Sequence, residues 1–110
     1  MPDNINPSPG GTGAVDLNAW VTEFGASANA TEQALAPDLQ QVITLLGAPS
    51  PNAATVNPLL QNLHDRVQAI VNEMPVEEAE YVPNPTTGVM ERPRRKRMSD
   101  LAYKLSAMML

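Results

Sequence analysis

Hydrophobic positions recur with helical spacing in four stretches of the chain. Leu17, Trp20, Val21, Phe24 and Ala28 fall at i, i+3, i+4, i+7 and i+11, one face of an amphipathic helix, and Asp16 stands where an N-cap is wanted. This predicts a helix over 16–29, fraying where Gly25 and the Ser27–Thr31 run lower helix propensity. A second stripe, Leu35, Leu39, Val42, Ile43 and Leu46, predicts a helix over 31–46 that stops at Gly47, with Pro49 and Pro51 just beyond. Within it Pro37 is expected in the first turn, the one place where a missing N–H breaks no bond. Asn57-Pro58 reads as cap and first position of a third helix, 57–74, whose Leu60, Leu63, Val67, Ile70 and Met74 step by 3, 4, 3 and 4. Packing of the second and third stripes across the Gly47–Asn57 connection predicts an antiparallel helical hairpin.

Met74-Pro75 closes the third helix. Residues 75–92 carry Glu77, Glu78 and Glu80 and then Tyr81-Val82-Pro83-Asn84-Pro85-Thr86-Thr87-Gly88, which predicts an extended, acidic, Pro-rich connector. The last helix, 93–109, opens at Pro93 and carries Met98, Leu101, Leu105 and Met108 at steps of 3, 4 and 3. Nowhere does the sequence alternate as a strand does. The expected fold is mainly α, without a sheet: a flexible or extended arm at 1–15, a small helical body at 16–74, the connector at 75–92 and a basic amphipathic helix at 93–110.

Composition narrows the chemistry. The chain has 110 residues, one domain at most, with no Cys, one His and four aromatic residues. Thiol chemistry, disulfides and Cys-ligated metals are excluded, and His64 alone makes neither a His cluster nor a dyad. Being neighbours on a helix, His64 and Asp65 are expected to point about 100° apart. Glu77, Glu78 and Glu80 lie in a Pro-bounded connector with no apolar walls to raise a carboxyl pKa. Gly10-Gly11-Thr12-Gly13 lacks the preceding strand and following Lys of a phosphate loop. The sequence therefore reads as a non-enzyme without a cofactor or metal. The N-terminus lacks the basic start and apolar block of a secretory signal, and no run reaches the ~20 apolar residues of a membrane span, so a soluble chain is expected.

Charge changes the picture more than composition does. The formal net charge of −5 conceals a division: residues 1–91 hold eleven acids and one base for −10, while residues 92–110 hold six bases and one acid for +5. The bases are Arg92, Arg94, Arg95, Lys96, Arg97 and Lys104, a set suited to an anionic partner. With a −10 body at hand, the favoured use is charge pairing with acids of this or a neighbouring chain. Phosphate contact with a nucleic acid is an alternative, carried by backbone charge because no aromatic is interleaved. A membrane surface is disfavoured, since the terminal helix has no Trp anchor and a thin polar face. Met98, Leu101, Leu105 and Met108 suit docking into an apolar groove of a partner. Trp20 and Phe24 read as core, or as an interface anchor if the body is too small to cover them.

Residues 17–74, with the early Trp20, a helix, the Pro49-Ser50-Pro51-Asn52 connection and a leucine-spaced helix, loosely resemble type III secretion needle subunits. That resemblance implies a helical appendage; Pro75, Pro83, Pro85 and Pro93 depart from the family, whose second helix continues to its end. The leading expectation is a structural, scaffolding or connector protein of a virion or bacteriophage. Its partners would be copies of itself or a larger structural protein, met through the arms and the terminal helix. A needle-like subunit and a nucleic-acid-binding accessory protein are the alternatives.

Overall fold

The computed structural model describes residues 15–110. Its first helix, α1, spans Leu17–Gly25, and Asp16 caps it by accepting from the Ala19 amide at 3.1 Å. The helix stops four residues short of the expected end, because Ser27 and Asn29 build the next start: the Ser27 hydroxyl accepts from the Asn29 amide, and Asn29 accepts from that of Glu32 at 3.1 Å. Helix α2 runs Ala30–Leu46 and α3 runs Ala53–Glu73. After a connector, α4 occupies Arg94–Ala107.

Two prolines depart from their expected places. Pro37 lies in the interior of α2, and Pro58 in that of α3, because α3 begins at Ala53 under an Asn52 cap instead of at Asn57-Pro58. Each proline removes one helical N–H, which frees the carbonyl four residues earlier. Those positions, Gln33 and Ala54, are exposed, where a freed carbonyl is open to solvation, and both helices continue. Asn57, released from capping, clasps the chain end: it donates to the Leu110 carbonyl at 3.1 Å and accepts from the Leu110 amide at 2.8 Å.

The connector is not wholly extended, and the expectation of no sheet fails here. Val82–Pro83 (β1) and Met90–Glu91 (β2) pair antiparallel, Val82 opposite Glu91. Asn84 makes the turn, its side chain accepting from the Thr86 and Thr87 amides at 2.8 and 2.9 Å. Gly88, at φ 75°, closes it in a conformation that side chains other than glycine's rarely adopt. Hairpin periodicity is invisible in strands of two residues, which is why the sequence did not announce them.

The helices pack as two pairs, α1 on α2 and α4 on α3, and the pairs meet through α2 and α3. The α2–α3 contact that the two stripes predict exists, but it is the lesser one. Leu35, Leu39, Val42, Leu60, Leu63 and Val67 are buried, as the stripes require. Ile43, Leu46, Ile70 and Met74 lie at the edge of the core, while Val56 and Val71 are inside it. Trp20 and Phe24 stack with centroids 5.0 Å apart and are buried, so they anchor this core and no external interface.

The largest correction concerns α4. Met98, Leu101 and Leu105 are fully buried in this chain's own core, and Met108 packs partly buried beside them. A helix expected to seek a partner's groove completes the body instead. The reason is area: α4 packs on α3 as extensively as α1 packs on α2, so without it a whole face of α3 would stand uncovered. Among the described residues no helix is long and apolar enough to cross a membrane.

Burial of α4 sets a stability prediction. Leu101→Ala should cost about 2–5 kcal/mol in urea unfolding. Tyr103→Ala, on the outer face of the same helix and 65% exposed, should stay within about 0.5 kcal/mol of the wild type. Equal effects from the two substitutions would contradict the packing described.

Candidate functional site

The basic run lies on the connector end and the first turns of α4, and helical spacing decides what it meets. Arg94 and Arg97, three apart, share a face that looks across to α1 and the start of α2. Arg94 grips Glu32 with both terminal nitrogens, at 3.0 and 2.7 Å, and places Nε 2.7 Å from Glu23. Arg97 reaches the other Glu23 oxygen at 3.2 Å, and Glu91 at 3.8 Å. Both guanidiniums lie over the Trp20 ring, their central carbons 5.8 and 5.0 Å from its centroid. An indole roofed by two cations and flanked by two carboxylates thus joins α1 and α2 to α4.

The other bases are engaged as well. Arg92 pairs with Asp100 at 3.2 Å and with Glu80 at 3.8 Å. Arg95 donates to the carbonyls of Val71 and Met74 at 3.2 and 3.1 Å, closing the C-terminus of α3 where helical acceptors have lost their donors. Lys96 donates to the Ala79 carbonyl at 2.8 Å and pins the connector. Arg66 pairs with Asp38 at 2.7 Å, bridging α3 to α2. Lys104 stands apart from the run. It lies with Asp16 beside an open groove of about 570 Å³ lined by Leu17, Ile43, Leu46 and Met108.

Electrostatics follow from this arrangement. Burial alone would raise the Glu23 carboxyl, yet the hydrogen bonds and charges of Arg94 and Arg97 together outweigh it and hold the group below its ordinary 4.5. For Glu32 the Arg94 hydrogen bonds dominate, burial opposes them, and the result is again a lowered value. Arg94 is correspondingly pushed up, chiefly by Glu32. Stability that depends on these two carboxylates is complete above their unfolded value and is lost as pH falls through the lowered native one.

Several sequence expectations meet the structure here. For the basic run, pairing with acids of this or a neighbouring chain is the favoured expectation and an external anion the alternative; Arg92, Arg94 and Arg97 meet carboxylates of this same chain, and Arg95 and Lys96 meet its carbonyls. His64 and Asp65 do not diverge: Nδ1 and Oδ1 meet at 3.0 Å on an exposed face, and Asp65 also accepts from Gln61. Those hydrogen bonds, His64's first, lower the Asp65 carboxyl. Glu77, Glu78 and Glu80 lie exposed on the connector. Among the described residues no group of three or more His, Asp and Glu converges as a metal ion would require.

Glu23 and Glu32 are the site residues that sequence reading missed. One signal was present: Glu23 stands three positions after Trp20 on α1, beside the apolar stripe on the side away from Phe24, so an acid borders it. Glu32 stands in the first turn of α2, where it reads as a helix-dipole residue. The pairings span 62 to 74 residues, and no local pattern identifies such partners.

Two consequences are measurable. Glu32→Ala should destabilise the chain by about 1–3 kcal/mol at neutral pH, since it strips Arg94 of a bidentate partner. Wild-type stability should fall as pH drops below 4.5, and Glu32→Gln, already weakened, should show a shallower fall over that range. Parallel pH profiles would remove Glu32 from the latch. Comparison with family models, with curated proteins and with solved structures finds no match, so function is argued from this geometry.

Proposed function

We propose that this chain is a non-enzymatic assembly subunit that associates with copies of itself in a larger particle, of the kind virions and bacteriophages build from small structural, scaffolding or connector proteins. One observation carries the reading: the cations of the basic run are engaged inside the chain, Arg92, Arg94 and Arg97 by carboxylates and Arg95 and Lys96 by carbonyls, while acidic and apolar side chains stand exposed among the neutral polar ones. Glu73, Glu77 and Glu78 are exposed, and so are Val76, Val89, Met90, Tyr103 and Leu110, each more than half. Exposed carboxylates disfavour phosphate, and the exposed apolar side chains suit protein contact.

The nucleic-acid reading loses its support by the same observation. A run of bases neutralises phosphates only if its charges are free to exchange counterions. Here Arg94 and Arg97 would have to abandon Glu23, Glu32 and Trp20 first. The groove between α1, α2 and the end of α4 adds a concave apolar element to the exterior.

Light scattering on the full chain across a concentration series is the test. A mass rising above the 11.8 kDa of one chain is expected, together with no retention of duplex DNA at low salt. A mass fixed at one chain at every concentration would overturn the assembly reading. Salt-sensitive DNA binding would restore the alternative.

A further inference from the structure

We propose that α4 is an exchangeable element: the helix that closes one copy's core also docks, by the same contacts, into the α1–α2–α3 socket of a second copy. This rests on the assembly reading above and names its partner and mode.

Three observations lead there. First, the socket is built for a helix and is chemically complete without the connector. Glu23, Glu32 and Trp20 receive Arg94 and Arg97; the α3 carbonyls of Val71 and Met74 receive Arg95; the core receives Met98, Leu101 and Leu105. Every one of these contacts is available, unaltered, on a neighbouring molecule. Second, the connector's backbone makes no bond that commits α4 to its own body. No backbone-to-backbone hydrogen bond ties residues 75–81 to any helix, and Lys96 and Arg92, which do hold that stretch, belong to the α4 end itself. Third, the connector stores length. The β1–β2 hairpin brings Val82 beside Glu91, bonded to itself and to no helix by its backbone. Opened, those ten residues span about 30 Å, and the whole stretch from Pro75 to Pro93 about 60 Å. The body measures 40 × 29 × 22 Å, so the opened connector reaches a neighbour's socket.

The closed and exchanged forms share their core, latch and caps, and differ in tethering. A flexible tether holds a docked segment at an effective concentration on the order of millimolar. Crowding copies to that level within a particle removes the advantage of self-docking, and exchange then links neighbours through a surface already shaped for the purpose. Reciprocal exchange closes a dimer, and sequential exchange propagates a chain.

The test uses two full-length variants that each reverse one side of the Arg94–Glu32 pair, Glu32→Arg and Arg94→Glu. Alone, each sets like charges against one another in its own socket. Refolded together, the wild-type Arg94 of the first meets the wild-type Glu32 of the second, and the two substituted positions meet each other with opposite charge. The expected result is a 1:1 species of twice the chain mass by light scattering, with a thermal midpoint above that of either variant. If one variant does not fold alone, its helical signal should appear on mixing. A mixture that remains the sum of its parts, in mass and in midpoint, overturns the proposal. The two readings fail separately: wild-type association without charge-reversal rescue leaves assembly standing and removes exchange. Rescue in a mixture whose wild-type parent stays at one chain mass shows that the socket accepts a second copy's α4 but removes the assembly reading, and with it the wild-type use of exchange.

Discussion

Two carboxylates and two guanidiniums around one indole hold this molecule's two helix pairs in register. Glu23 comes from α1, Glu32 from α2, and Arg94 and Arg97 from α4, with Trp20 beneath both cations. Apolar packing supplies the drive to bury α4, but Leu and Met side chains accept many rotations of a helix on its bed. A bidentate Arg–carboxylate pair does not, because its two parallel bonds fix distance and plane together. The latch therefore selects one seating of α4. Its partial burial sharpens that selection, since a guanidinium turned away from Glu23 and Glu32 would leave two carboxylates part-desolvated without counter-charge.

The connector depends on the same constraint. Arg92, Arg95 and Lys96 reach back from the α4 end to Glu80, the α3 carbonyls and Ala79, so seating α4 also fixes the path of residues 74–80. At the other end of the helix, Asn57 secures Leu110. Between these two fastenings the apolar face of α4 lies on α3. A chain with few aromatic residues gains a core by borrowing a helix from beyond a long connector.

Much of this was legible in the sequence, and what was not has identifiable causes. The stripes at 17–24, 35–46 and 60–74 placed three helices, because burial on one face imposes a 3.6-residue period that can be read directly. The stripe at 98–108 places the fourth with equal clarity but does not name the surface it meets. Periodicity reveals that a face is buried and says nothing about which surface buries it. The start of α3 is ambiguous in the sequence because Asn57-Pro58 and Asn52 are both sound caps, and the buried Val56 favours the earlier one. The division of charge at residue 91 pointed to an acidic counterpart for the basic run. That this counterpart includes Glu23 and Glu32 is a fact of tertiary structure, expressed over more than sixty residues of separation.

The account stands or falls on α4 being part of the folded body and not an appendage. Amide hydrogen exchange followed along the full chain measures this directly. Protection of Leu101, Ala102 and Leu105 amides comparable to that of Leu63 and Val67 in α3 is the predicted result, since one core opens as one unit. Exchange of the α4 amides at free-peptide rates, with α2 and α3 still protected, would contradict it.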